Sequence, residues 1–187
     1  MKRNGAAFVL LVSLAAAAAV PRAARAAESA RGGTFLPLGW DARGAALGGA
    51  ATVLITDERS AYWNPANLVF IDGPRVSFGT VTLVEGLPSR YSTFTAGAGL
   101  AEAALSPDST YRWRRFAMAL SGSHLGLELS EGSGWSESTF GVSAGYAITN
   151  YNAVGVTVRA AKSWTDVEDA DAWGAAIDVG LTERVTR

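Results

Sequence analysis

The sequence predicts an all-β protein: an antiparallel transmembrane β-barrel, preceded by a separate N-terminal segment. Apolar residues alternate with a period of two from Arg75 onward, which is typical of strands. The alternate positions hold mostly Gly, Ala, Ser and Thr, where a soluble sheet would carry many Lys and Glu. The chain also begins with an apolar segment of the export type.

The first 26 residues have the pattern of a secretory signal peptide. Lys2 and Arg3 precede an apolar run from Ala6 to Val20, and small residues with A-x-A spacing follow. The run is shorter than the ~20 residues that a membrane-spanning helix needs. We therefore predict a signal peptide over 1–26 and export from the cytoplasm.

Composition restricts the function. Four of the sixteen basic residues lie in 1–26, so twelve basic residues face seventeen acidic ones in the remaining chain. Because acidic residues are in excess, we expect no basic surface patch that could bind nucleic acid. The 187 residues include no cysteine, so neither a disulfide framework nor a thiolate metal site is expected.

Residues 27–73, which we call the hatch, differ from the rest of the chain and lack the period of two that begins at Arg75. They are rich in Gly and Ala and carry only short signals, ending in the stretch "SAYWNPANL" (Ser60–Leu68). Pro65 suits the first position of a helical turn, and Asn64 can cap that turn with its side-chain oxygen.

Residues 74–187 are predicted to form barrel strands. In "AVGVTVRAAKSW", for example, Val154, Val156 and Val158 share one face, while Gly155 and Thr157 lie on the other. The alternation predicts six strands, at 75–84, 91–101, 112–130, 138–148, 153–165 and 172–183. Each is long enough to cross a membrane when tilted.

The third segment, 112–130, allows two interpretations. Phe116 and Leu120 set one phase, whereas Leu125 and Leu127 set the other. The chain therefore either turns tightly at 121–123 or continues as one strand with a bulge. We predict the bulge, because it places the short "TNYN" turn and the longer acidic loop at opposite ends of the barrel.

The hatch region resembles the N-terminal signature of the PorV/PorQ group of outer-membrane proteins, which are similar to the FadL long-chain fatty-acid transporters. The resemblance covers "LPLGWDARGAALGGAATVLITDERSAYWNPANL" (Leu36–Leu68). The matching residues are Ala42, Arg43, Leu47, Gly48, Gly49, Ala50, Asp57, Ala61, Tyr62, Trp63, Asn64, Pro65, Ala66 and Leu68.

The resemblance implies a fourteen-stranded barrel plugged by this hatch, of which about six strands are present here. Six strands are fewer than the eight of the smallest barrels and leave two edges without partners. We therefore expect an incomplete barrel that requires partner strands or a missing C-terminal half. The chain ends at Arg187, whereas a last barrel strand of this type is expected to end in an aromatic residue.

Charges and tryptophans within the strands are further candidate site residues. Glu128, Arg159 and Asp178 are assigned to the lumen phase, where they hold the hatch by ion pairs or line a ligand path. The alternative is that a polar lumen simply tolerates charge. Trp164 and Trp173 share the apolar phase on either side of an acidic loop, as expected of interfacial aromatics.

Little in the sequence indicates catalysis. His124 is the only histidine, and no orienting acid or oxyanion site accompanies it. The stretch "GSGWS" lacks the G-x-S-x-G spacing of a nucleophile elbow. "DVEDAD" (166–171) lacks the glycine and the distal Glu of a calcium loop. We predict no catalytic residue, cofactor or metal.

The sequence thus favours a non-enzymatic outer-membrane barrel of the PorV/PorQ or FadL-like type. Its expected partners are membrane lipid and either hydrophobic small molecules or secreted proteins. The alternative is an exported soluble β-sandwich, acting as a binding or structural module. That alternative requires the face of Val154, Val156 and Trp164 to be covered by a second sheet.

Overall fold

A computed structural model describes residues 39–47, 50–102, 114–130, 133–149, 151–166 and 171–183. The predicted signal peptide, the start of the hatch at 27–38, Gly48, Gly49 and most of the acidic loop lie outside the described residues. The described part contains one antiparallel sheet in sequential order. Its strands are β1 (Arg75–Thr82), β2 (Ser89–Glu102), β3 (Arg114–Ser130), β4 (Ser133–Ala147), β5 (Asn152–Thr165) and β6 (Ala172–Glu183).

The sheet confirms the predicted all-β class and the six predicted strands. The observed bounds differ from the prediction mainly at the strand starts. β4, for example, begins at Ser133 rather than at 138. Each strand pairs with its sequence neighbours, as short hairpin connections favour. Within the described residues the sheet is open, with β1 and β6 at its edges.

The two faces of the sheet have opposite chemistry. We call the face that contacts the hatch the inner face, and the other the outer face. On β4 the buried inner residues are Glu137, Thr139, Gly141, Ser143, Gly145 and Ala147. The outer face carries exposed apolar side chains, including Phe78 (73% exposed), Phe140 (56%) and Ile177 (70%). The sheet is therefore polar inside and apolar outside, the reverse of an ordinary soluble domain.

Cross-strand partners on the outer face form successive rows. Four consecutive rows cross β5 at Ala160, Val158, Val156 and Val154. Apart from Gly and one Tyr, their residues are all apolar. The row through Val158 consists of Val76, Ala96, Leu120, Val142, Val158 and Ile177. The apolar outer face is thus continuous across all six strands.

The predicted bulge in the middle of β3 is wrong. β3 is a single strand, and its register with β2 and β4 is unbroken from Ala117 to Leu127. The apolar phase changes because Leu125 turns inward, where it is buried against Tyr91 and beside Trp135. An apolar cluster on the inner face, rather than an extra residue, explains the change of phase.

The hatch consists of short helices that lie on the inner face. They are α1 (Ala42–Ala46), α2 (Ala51–Leu54), α3 (Ser60–Trp63) and a 3-10 helix (Pro65–Phe70). The Asp41 carboxylate caps α1 by accepting from Gly44 N at 2.8 Å. Leu68 and Val69 are fully buried against alanines of β3, β4 and β5. Small inner-face residues thus provide the space in which the hatch packs.

The soluble-sandwich alternative finds no support in the described strands. It requires a second sheet over the outer face of β5, yet Val158 is 55% exposed and the described strands form one sheet. Among the described residues, no helix is both long and apolar enough to cross a membrane.

Candidate functional site

The Asn-Pro-Ala turn of the hatch lies against three glycines that neighbour one another in the sheet. Gly145 of β4 pairs with Gly155 of β5, which pairs with Gly180 of β6. We call these three residues the glycine row. A Cβ at Gly145 would stand 2.8 Å from Pro65 O, and one at Gly155 would stand 2.6 Å from the same atom. The hatch backbone therefore approaches the sheet so closely that only glycine fits at these positions.

Asn64 joins the hatch to the edge strand β6. Its Oδ1 accepts from Ala66 N at 3.1 Å and so caps the 3-10 helix that Pro65 begins. Its Nδ2 donates to Leu181 O at 3.1 Å and to Thr182 Oγ1 at 3.2 Å. The predicted cap is confirmed, and the same side chain also anchors the hatch to β6.

Further hydrogen bonds connect the hatch to the central strands. Ala61 O accepts from Thr157 Oγ1 at 3.1 Å and from Ser143 Oγ at 3.4 Å. Trp40 Nε1 donates to Thr95 Oγ1 at 2.8 Å. Because these groups are buried, each bond lost would leave a polar atom without water to replace its partner.

Replacing Asn64 with alanine is expected to lower the free energy of unfolding by about 1–2 kcal/mol, because it removes a helix cap and two buried donors. Denaturant unfolding of the purified chain measures the change. The variant Asn64→Ser keeps a capping oxygen but loses both donated hydrogen bonds, so it should retain part of the lost stability. Wild-type stability in Asn64→Ala would contradict the role of this side chain as an anchor.

Arg159 lies beneath the aromatic part of the hatch. It is 5% exposed, and its Nη2 donates to Asp178 Oδ2 at 3.0 Å. Its guanidinium carbon stands 5.0 Å from the ring centre of Tyr62 and 5.8 Å from that of Trp40. These two rings stack at 4.8 Å. Arg159 and Asp178 lie on the inner face, as predicted. Their ion pair, however, joins β5 to β6 and not to the hatch, which Arg159 contacts through the rings of Tyr62 and Trp40.

A second charged group stabilises the hatch internally. Asp57 accepts from Arg59 Nε at 3.1 Å and stands 3.5 Å from the Arg43 guanidinium. Arg59 also lies 3.6 Å from Asp41. Burial alone would raise the pKa of Asp57. The hydrogen bonds and charge of Arg59, with the charge of Arg43, outweigh burial and lower that pKa below its usual value of 3.8.

The lowered pKa of Asp57 predicts acid loosening of the hatch. A depressed carboxyl pKa stabilises the folded state fully above the unfolded value of about 3.9, and this stabilisation disappears as pH falls through the folded pKa. Tryptophan fluorescence during acid titration should report the change, since Trp40 and Trp63 lie in the hatch. The variant Asp57→Asn should weaken or remove this acid-induced change in fluorescence. An unchanged fluorescence titration in that variant would show that other titratable groups cause the loosening.

Three further residues of the signature, Tyr62, Trp63 and Ala66, make packing contacts, whereas Ala42 and Ala50 are exposed. Trp63 lies over Gly44, where a Cβ would overlap its indole, and its Nε1 donates to Asp41 Oδ2 at 3.2 Å. Ala66 is fully buried. Tyr62 is also partly buried, and its burial raises the pKa of its hydroxyl above the usual value.

Glu128 does not lie where the sequence predicts. Because the register of β3 with β4 is unbroken from Phe116 to Glu128, Glu128 falls in the outer phase with His124, and its side chain is exposed. Trp164 and Trp173 do share the outer face, on either side of Lys162, whose Nζ stands 4.7 and 5.2 Å from their ring centres.

Comparison of the chain with protein-family models, with curated proteins and with solved structures finds no match.

The structure adds residues that the sequence did not single out. Asn67 Nδ2 donates to Thr52 O and Ile55 O, both at 3.0 Å, and its Oδ1 accepts from Thr182 Oγ1. This second asparagine of the motif thus links α2, the 3-10 helix and β6. In the sequence, the three residues of the glycine row could be recognised only as glycines at non-apolar positions of three separate strands.

Proposed function

We propose that this chain forms part of the wall of an outer-membrane β-barrel and that the hatch plugs its lumen. In this proposal the protein is exported by its N-terminal segment and is not an enzyme. It acts in the passage of hydrophobic compounds or of secreted proteins across the outer membrane. The observation that carries the proposal is the inverted polarity of the sheet: a polar inner face packed on the hatch and a continuous apolar outer face.

The dimensions of the outer face fit a membrane. On β5, apolar or small outer-face side chains run between Asn152 and Lys162. These ten residue steps correspond to a height of about 25 Å at ~3.3 Å per residue and a tilt of ~40°, which matches the apolar band of membrane barrels.

The hatch supports a gated path rather than an open pore. Gly155 and Gly180 let its backbone lie directly on the sheet, and a groove of about 470 Å³ is lined by Thr52, Tyr62 and residues of β6. Opening would require the hatch to move or the wall to deform. The polarity of the sheet supports transport of small molecules and protein secretion equally.

The open edges define what the barrel still needs. β1 and β6 each pair on one side within the described sheet. Each backbone group left without a partner in hydrocarbon costs several kcal/mol. We therefore expect further strands, from this protein or from a partner, to pair with these edges.

Cell fractionation tests the proposal. The chain should be recovered from outer-membrane fractions, dissolve only with detergent and migrate differently on gels before and after heating. Recovery in the soluble periplasm would contradict the proposal and favour the soluble binding module.

A further inference from the structure

The register of the sheet determines which backbone groups of β6 face away from β5. Ile148 N donates to Asn152 O at 2.9 Å, so Asn152 faces β4 with its backbone groups. Every second residue of β5 does the same, since the register with β4 is unbroken. Val154 therefore faces β4, and the N–H and C=O of its partner Leu181 face away from β5. The same holds for Trp173, Ala175, Ile177 and Val179.

These outward backbone groups of β6, which we call the free edge, form a surface for strand pairing. Among the described strands β6 pairs only with β5, and the side chains of Ile177 and Val179 are 70% and 67% exposed. A row of N–H and C=O groups at strand spacing is complementary to another extended strand. In hydrocarbon such groups require a partner.

The hatch already occupies one position of the free edge. Asn64 Nδ2 donates to Leu181 O at 3.1 Å. Because this carbonyl faces away from β5, the side-chain amide stands where a neighbouring strand would bring a backbone donor. Asn64 reaches the edge by lying over Gly180, where a Cβ would overlap its Oδ1. The hatch and an added strand therefore require the same acceptor.

A groove beside the free edge provides space for the side chains of an added strand. It measures about 470 Å³ and is lined by Tyr62 and Trp63 of the hatch and by residues 177–181 of β6. Asp178 belongs to this lining, and its side chain is 47% exposed. Its Oδ2 accepts from Arg159 Nη2 at 3.0 Å, so the pair carries no net charge. A neutral hydroxyl or amide donor fits beside this carboxylate better than a second cation.

We propose that the free edge binds an antiparallel strand and that this strand competes with Asn64 for Leu181 O. The strand has apolar side chains on the outer face and hydroxyl or amide side chains on the inner face. Asn64 keeps its bond to Thr182 Oγ1, so strand pairing loosens the hatch without releasing it. Such coupling is reciprocal: strand and hatch weaken each other by the same factor. The inference rests on the proposed function, because it treats the sheet as part of a membrane wall.

Two isomeric peptides test the pairing. The probe is a labelled synthetic peptide of roughly nine residues with alternating Val and Thr, titrated into the full chain in neutral detergent and followed by fluorescence anisotropy. With Val on the outer face, the Val amides face β6 and the Thr amides face away. The peptide N-methylated at Thr should therefore bind about tenfold more tightly than the isomer N-methylated at Val. Equal binding of the two isomers would overturn the inference.

Val179→Pro tests whether the peptide binds at β6. Because Val179 N–H faces the free edge, proline spares the bonds to β5 but removes a donor from the edge. Val76→Pro on the other edge strand, β1, is the matched control, since Val76 is 69% exposed. Leu83 N donates to Ser89 O, so Val76 N–H faces away from β2. Only Val179→Pro should weaken binding, by about tenfold; unchanged binding there, or loss in Val76→Pro, would contradict the assignment to β6.

Asn64→Ser tests the competition. The shorter side chain keeps a capping oxygen but frees Leu181 O, so the peptide should bind about threefold more tightly than to the wild type. In the wild-type chain, saturating peptide should speed trypsin cleavage at Arg59 by about the same factor, and the isomer N-methylated at Val should not. Unchanged affinity in Asn64→Ser, or unchanged cleavage at Arg59, would overturn the competition. Cell fractionation is independent of these results, so the two proposals fail separately.

Discussion

Replacing Gly155 with alanine is expected to displace the hatch from the inner face of the sheet. The new methyl group would overlap Ala66 N and Pro65 C and would lie 2.6 Å from Pro65 O, so the hatch backbone itself must move. Forcing one methyl group into such a contact typically costs about 1–3 kcal/mol. Here the neighbours are main-chain atoms rather than flexible side chains, so the upper part of that range applies. Limited trypsin digestion should show faster cleavage at Arg59 within the hatch.

Gly122→Ala is the control for this substitution. Gly122 also lies in the middle of a strand, but an added Cβ there meets its nearest atom, Thr139 O, at an ordinary 3.5 Å. This variant should digest like the wild type. Equal protease resistance of Gly155→Ala and Gly122→Ala would contradict the close seating of the hatch on the glycine row.

Replacing Val158 with lysine is expected to impair membrane insertion strongly. Val158 is already 55% exposed and lies in the middle of the apolar outer face, so a lysine would fit sterically. In water the change would be almost neutral, whereas at the centre of a bilayer it costs about 2–4 kcal/mol. The yield of heat-modifiable protein in the outer-membrane fraction measures the effect.

Val53→Lys provides the matched control, since Val53 of the hatch is 79% exposed and lies outside the sheet. If the outer face meets lipid, only Val158→Lys should reduce the membrane-inserted yield. Equal yields for both variants would indicate that the outer face is in contact with water.

The strands could be predicted from sequence because each carries a clear period of two, and the two faces differ in residue type. The cap of Asn64 on the Pro65 turn was also predictable, because it depends on neighbours in the chain. The contacts of that turn with Gly155 and Gly180 were not, because they depend on register between distant strands. Register is fixed by hairpin geometry and packing, which a single sequence does not display.

The error at β3 has an equally specific cause. An apolar phase was assumed to point outward along the whole strand, so a change of phase required an extra residue. Leu125 instead packs on the inner face with Tyr91, and β3 continues without interruption. The assignment of Glu128 to the lumen followed from that assumption and was wrong for the same reason.

Collision accessibility along β5 tests the central claim most directly. The sequence contains no cysteine, so single cysteines can be introduced and labelled with a nitroxide one at a time. In lipid bilayers, labels at Val154, Val156 and Val158 should collide often with oxygen and rarely with a water-soluble nickel complex. Labels at the buried positions Thr157 and Ala161 should collide little with either. High nickel accessibility at the three valines would show an outer face in water and contradict the membrane barrel.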